Sequence, residues 1–215
     1  PLTSIRGYAE LFHRGLQDRP EDLKKALERI ESEAIRMGLL VDDLLLLASF
    51  DAGRPLHQDP VDLSRIAADA ASDLRAIDPD RTVSLEAAPA VIVIGDEQRL
   101  RQVAANLISN VRRHTPAGTA VTVRARLAGP YGTFEVADAG PGMTPQQAEH
   151  VFDRFYRVDK ARSRAMGGAG LGLSIVASIA EAHGGQASVT TALGAGATFS
   201  VAIPVAPTGP QPEAP

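Results

Sequence analysis

The chain of 215 residues carries a formal net charge of −4, with 44% hydrophobic and 22% charged residues, a globular composition long enough for one full domain and a smaller element. No run approaches the roughly 18 consecutive apolar residues of a membrane span, the N-terminal residues lack the apolar stretch of a signal peptide, and the absence of cysteine excludes disulfides and Cys-based zinc sites. A sequence pI of about 5.7 argues against a nucleic-acid partner, because no basic face is forced on the surface.

Residues 1–53 are predicted to form a helical hairpin. Ile5, Tyr8, Leu11 and Phe12 make a short helical stripe, and residues 15–20 supply a break. From Leu23 the apolar positions step as Leu23, Leu27, Ile30, Ala34, Met37, Val41, Leu44 and Ala48, alternating four and three, which is the a/d seam of a bundle. Leu40, Leu45 and Leu47 widen the stripe toward its end. Such a hairpin cannot bury its seam alone, so a dimeric four-helix bundle is expected, with packing on the rest of the chain as the alternative. Residues 54–60, with Pro55 and Pro60 after Gly53, read as a linker.

Residues 61–204 alternate helical and strand patterns. Asp62 caps a helix running to Ile77, and residues 82–86 and 91–94 read as strands. Asp96 caps a long helix to His114. Residues 121–127 and 133–136 form a hairpin around residues 129–132. Thr144, Pro145 and Gln147 spell a capped helix start. A helix over 170–183 and strands over 186–191 and 197–203 complete the domain. The predicted class is α+β, a two-layer α/β sandwich with one helical layer on one sheet. Residues 205–215 are Pro-rich and predicted to be disordered.

Four clusters interrupt this packing logic. Asn106 and Asn110, spaced i, i+4, project from one face of the long helix, although Asn is a poor helix-interior residue. Their amide oxygens are hard neutral ligands suited to Mg²⁺, and Arg113 and His114 follow with a cation for phosphate and a ring for a base. A pair of solvated surface amides is the plainer alternative. Next, Asp138-Ala139-Gly140-Pro141-Gly142 ends a strand: Asp138 can accept from an exocyclic amine and the glycines admit a close ligand, although such turns are common. Third is the aromatic and Arg-rich run Phe152-Asp153-Arg154-Phe155-Tyr156-Arg157. The fourth, residues 167–173, is glycine-rich and leads into a helix, whose N-terminal N–H groups suit phosphate. It matches neither the P-loop nor the dinucleotide fingerprint. Between the last two, residues 158–166 with Lys160, Arg162 and Arg164 suggest a lid over an anionic ligand.

Together these residues resemble a family. Residues 106–115 resemble the N box of bacterial two-component sensor histidine kinases, 138–142 the G1 box, 152–157 the F box and 170–173 the G2 box, in family order. Residues 1–10 look like the second half of the H box, and 194–199 are similar to the late glycine motif. The resemblance implies the Bergerat (GHKL) nucleotide-binding fold with ATP and Mg²⁺ as ligands. It assigns Asn110 to Mg²⁺ with Asn106 assisting, Arg113 to the phosphates, and His114 to the adenine or ribose. Asp138 would accept from the adenine amino group within a pocket shaped by Gly140 and Gly142. Arg157 would face the γ-phosphate. Gly168, Gly170 and Gly172 would supply the lid hinge and phosphate-facing backbone, and Phe155 and Leu171 belong to the same nucleotide-binding set. Asn106, Arg113 and Arg157 form its catalytic group. The resemblance further implies a homodimer, a response-regulator receiver domain as partner, and a cytoplasmic location, with any membrane anchor in segments outside this sequence.

One departure limits the expectation. The H box opens with His-Glu/Asp-x-x-Thr/Asn-Pro, whereas this sequence begins at that Pro, without an initiator Met, and so reads as a piece of a longer polypeptide. Its acceptor His would lie five residues before Pro1, and residues 1–215 are expected neither to autophosphorylate nor to dephosphorylate a partner. His13 lacks the acidic neighbour; His57 and His150 read as linker and surface residues, and His183 as a helix-end residue favoured by the dipole. Three alternatives compete. A gyrase-type ATPase would carry a Glu base where Asn106 stands, an anti-sigma-factor serine kinase would lack the heptad hairpin, and a non-catalytic dimerisation and docking module need not bind nucleotide.

Overall fold

The computed structural model describes residues 2–13, 20–157 and 169–205. The helix break at 15–19, the basic segment 158–166, Gly168 and the Pro-rich tail beyond 205 lie outside the described residues. The chain divides into two compact units, Pro1–Ala52 and Gly53–Pro215. Among the described residues no helix is long and apolar enough to cross a membrane.

The first unit is the expected helix pair, α1 (Leu2–His13) and α2 (Pro20–Asp51). Pro20 occupies the first helical position, where its missing N–H loses nothing, and Glu21 and Asp22 complement the positive end of the helix dipole. Ala26, Leu46 and Leu47 are buried. Much of the seam is not: Leu27, Val41 and Leu44 keep 56%, 52% and 46% of their surface exposed.

The second unit is a two-layer sandwich. Its five-stranded sheet has the order β2 (Val83–Ala87), β4 (Val121–Ala128), β5 (Tyr131–Asp138), β7 (Ala197–Pro204), β6 (Gln186–Thr191), with β2 and β4 parallel and the other neighbours antiparallel. Helices α3 (Leu63–Ile77), α4 (Glu97–His114) and α6 (Gly172–Ala182) supply the other layer, and a short α5 (Pro145–His150) lies between β5 and α6 in the chain. Strict alternation along β7 sends Phe199, Val201 and Ile203 into a core shared with Leu74, Leu107, Val136 and Ile175.

The caps fall where the sequence places them. The Asp62 carboxylate accepts from the Ser64 N–H at 2.9 Å, that of Asp96 from the Arg99 N–H at 3.1 Å, and Thr144 and Gln147 close a full capping box. Three details differ from expectation. Asp59 and Pro60 do not end a linker but open a strand, β1 (Asp59–Asp62), antiparallel to β3 (Ile92–Gly95). A four-residue strand beginning next to a proline carries no period to read, and Pro is tolerated there only because the pair is short and at an edge. The β4–β5 hairpin turns on Gly129 and Pro130 alone, because Ala128 already pairs with Tyr131. Finally, α6 starts at Gly172 rather than Gly170, since Gly170 sits at φ 76°, outside helical backbone.

Candidate functional site

The site grows from the C-terminal half of α4. Its apolar face buries Val103, Leu107, Ile108 and Val111, which turns Asn106 and Asn110 to the flank, where both are half-buried. The Asn106 amide nitrogen Nδ2 is buried without a hydrogen-bond partner. Opposite it lies the first residue of α6: a Cβ built on Gly172 would stand 3.8 Å from the Asn106 amide oxygen. Leu171, fully buried, anchors that helix start without a side-chain cap, leaving the first-turn N–H groups uncapped.

One turn beyond Asn110, Arg113 and His114 lie at the protein surface. The protein packed on the inner side of the His114 ring holds its pKa below the usual imidazole value. The charges of Arg113 and Arg157 push the same way, and Asp138 opposes them. Those influences bring together α4, the end of β5 and the 152–157 run around one ring. Arg157 is half-buried, and its Nη2 also lacks a hydrogen-bond partner.

Asp138 closes β5. Burial raises its pKa above the ordinary carboxylate value, although the N–H groups of Gly140 and Ala197 and the charges of Arg81 and His114 pull it down. The Gly140 N–H donates to its Oδ1 at 2.8 Å. Gly142, at φ 66°, lies so close to the Ala192 carbonyl oxygen that any side chain would overlap it. Thr191 clamps this loop to the β6–β7 turn: its hydroxyl accepts from the Met143 N–H at 3.0 Å and donates to the Gly196 carbonyl at 2.7 Å.

The last two clusters meet through the backbone. The Phe155 N–H donates to the Gly170 carbonyl at 2.9 Å, and a Cβ on Gly170 would stand 2.8 Å from the Tyr156 carbonyl oxygen. Phe155 itself holds φ 65° with its ring exposed, an unusual backbone state for a bulky residue. Thus Asn106, Asn110, Arg113, His114, Asp138, Gly140, Gly142, Phe155, Arg157, Gly170, Leu171 and Gly172 all lie on the α4, β5-end, 152–157 and α6-start segments that these contacts link.

Several contributors carry no motif signal. Arg81 is buried beneath this region and bonds the segment following α4. His183 is at the C-cap of α6, as its position suggests, and its ring binds both the carbonyl end of that helix and the start of α4. Its buried ring accepts from the Asp96 N–H through Nε2 at 3.0 Å and donates from Nδ1 to the Ile179 carbonyl at 2.7 Å, which is the neutral tautomer. His150 is exposed and pairs with Asp153 at 2.8 Å, a surface residue as expected. Among the described residues no three His, Asp or Glu side chains gather as a metal site.

Residues 95–207 match the family described as histidine kinase-, DNA gyrase B- and HSP90-like ATPase, and residues 1–53 match the His Kinase A (phospho-acceptor) domain. The chain is 45% identical over 206 residues to the probable sensor histidine kinase TcrY of Mycobacterium tuberculosis, covering 95% of this chain and 43% of that protein. It is 42% identical over 212 residues to the sensor histidine kinase TrcS of the same organism, covering 95% and 41%. The chain therefore spans less than half the length of these relatives. Among solved structures, full-length ShkA in complex with AMPPNP superimposes with a TM-score of 0.71 at 29% identity, over 86% of this chain and 39% of that one. The Acinetobacter baumannii kinase AdeS shares the fold with a TM-score of 0.71 at 21% identity, over 95% of both chains. The chain belongs to the sensor histidine kinase family, pairing a His Kinase A domain with a histidine kinase-, DNA gyrase B- and HSP90-like ATPase domain.

Proposed function

We propose that the second unit binds Mg-ATP between α4 and the start of α6, and that it passes the γ-phosphate to a histidine of the phospho-acceptor domain. The observation that carries this reading is the pair of buried, unpartnered donors, Asn106 Nδ2 and Arg157 Nη2, in the region where the uncapped N-terminus of α6 faces Asn106. Buried donors left without acceptors are expensive, and an oxyanion-rich ligand would satisfy them together with the α6 N–H groups. ShkA, whose crystal structure holds AMPPNP, supports the same ligand class.

In this reading Asp138 accepts from the adenine amino group, and Gly140 and Gly142 let the base approach the backbone. Arg113 and Arg157 take the phosphates, Arg157 at the γ end, where fixed charge stabilises the transferring group. Asn110 would hold Mg²⁺ with Asn106 beside it, since a neutral amide oxygen suits that hard cation. When bound, that ion neutralises charge on the β- and γ-phosphates. Transfer breaks the bond between the γ-phosphorus and the β–γ bridging oxygen and forms a phosphorus–nitrogen bond to imidazole, releasing ADP and the ring proton. The phosphoryl group then moves to an aspartate of a response-regulator receiver domain. The exposed seam of α2 supports a homodimer through the hairpin, and the parent sensor would carry this portion on its cytoplasmic side.

Within residues 1–215 no histidine has the H-box context, so the acceptor is absent from them in this reading. Acid-labile labelling from γ-labelled Mg-ATP tests both points, on this chain and on the same chain extended at its N-terminus by His-Glu-Leu-Arg-Thr. Label only on the extended chain is expected. Label on residues 1–215 alone would mean that another side chain accepts phosphate. Failure of both to bind ATP would leave the docking module as the better reading.

A further inference from the structure

Arg81 lies outside every motif, yet it is among the most buried charges of the chain, with only 2% of its side chain exposed. Burying a guanidinium is tolerated only when its donors are satisfied, and here four bonds satisfy it. Nε donates to Asp78 Oδ2 at 2.7 Å, Nη1 to the Thr115 hydroxyl at 2.8 Å and to the Thr119 carbonyl at 3.0 Å, and Nη2 to the Pro116 carbonyl at 3.2 Å. Three of these go to residues 115–119, the segment that leaves α4 immediately after His114. The guanidinium is a rigid fork, so it fixes the path of that segment.

What the segment touches is the base end of the site. Thr115 stands behind Gly140, where an added Cβ would meet its methyl group at 2.8 Å and Asp138 Oδ1 at 2.6 Å. The Thr115 hydroxyl also donates to the Val111 carbonyl at 2.8 Å, tying the wall to the last turn of α4. The residue before β4 continues the contact, since the Ala139 N–H donates to the Ala120 carbonyl at 3.1 Å. We propose that Arg81 and Thr115 are positioning residues for nucleotide selectivity: Arg81 braces residues 115–119 so that the Thr115 methyl backs the Asp138–Gly140 turn.

This inference rests on the nucleotide reading above. Asp138 is faced by His114 from α4, by Arg81 from the segment between α3 and β2, and by the N–H groups of Gly140 and Ala197. Of these, Arg81 is the permanent charge, so its loss lets burial raise the Asp138 pKa further. Removing the brace loosens the wall against which a purine is told from another by its exocyclic group.

The test is calorimetric titration of the full chain with Mg-ATP and Mg-GTP across pH, for the wild type and for Arg81→Gln, Arg81→Lys and Thr115→Ser. Wild type should prefer ATP. In Arg81→Gln and Thr115→Ser the ATP-to-GTP preference should narrow about tenfold, equivalent to 1.4 kcal/mol. The pH below which ATP affinity falls should rise in Arg81→Gln and stay in place in Arg81→Lys, a readout that loss of structure alone would not produce. Thr115→Ser keeps the hydroxyl bonds and deletes only the methyl, so it decides the matter even if Arg81→Gln does not fold. Folded variants with wild-type selectivity would overturn the proposal, whereas a wild type that binds neither nucleotide would overturn the nucleotide reading itself.

Discussion

At the residue scale, His114 shows how position sets titration. Its ring is at the surface, so the influence of Arg113 and Arg157 is screened, but every large influence on it except Asp138 disfavours the imidazolium. The folded-state pKa therefore lies below the ordinary imidazole value of about 6.5. Above that value the ring is neutral in both folded and unfolded chains and contributes nothing to pH dependence. As pH falls below it, the unfolded chain takes up the proton first, and stability drops until the folded-state pKa is passed. His114→Gln removes this proton. Its melting temperature should consequently decline less than that of the wild type between pH 7 and about pH 5.5, and equal declines in a thermal-shift series would refute the assignment. Saturating ATP should reverse the sign, because a polyanion beside the ring favours the charged form.

At the scale of elements, much was legible because local chemistry decides it. Asp62, Asp96 and Thr144 announce helix starts through side chains that satisfy nearby N–H groups, and the structure keeps all three. The alternation of β7 and the i, i+4 asparagines of α4 are equally local. What escaped is set by partners distant in sequence. Nothing near His183 says that its Nε2 will meet the Asp96 N–H, nor that Gly95 is small because a Cβ there would stand 2.5 Å from the His183 ring. The same holds for Arg81, whose bonds span more than thirty residues. This Gly95–Asp96–His183 latch pins the C-terminus of α6 to the N-terminus of α4, the two helices between which the site is proposed. His183→Ala leaves the Asp96 N–H unsatisfied and opens a cavity, while the Ile179 carbonyl keeps the backbone N–H of residue 183, a loss of about 2–4 kcal/mol, and Gly95→Ala overpacks the ring for about 1–3 kcal/mol. The pair should be strongly non-additive, since once the ring is gone the alanine at 95 meets only the flexible end of Leu100, at 3.3 Å. Urea titrations with unchanged m-values would measure this; additive losses would show that the ring and Gly95 do not share one space.

At the scale of the whole molecule, the hairpin raises a solvation problem that the second unit does not. The sandwich buries its apolar face in its own core, with Leu107, Val123, Val136 and Ile175 fully enclosed. Along α2 the seam residues Leu27, Val41 and Leu44 remain open, with Ile35, Leu39 and Leu45 exposed beside them, an apolar surface larger than a lone soluble helix pair usually presents. Its four-three spacing repeats over the length of α2, and a regular seam is complementary to a second copy of itself about a twofold axis. A homodimer would thus remove from water the residues the single chain leaves wet, at roughly 25 cal/mol per Å². Light scattering coupled to size exclusion should show dimers that dissociate on dilution. Val41→Glu with Leu44→Glu should shift the chain to monomer while leaving the melting of the sandwich unchanged, because that unit has its own closed core. A wild type that stays monomeric at all concentrations would mean that the seam is covered within its own chain, the alternative that the sequence left open.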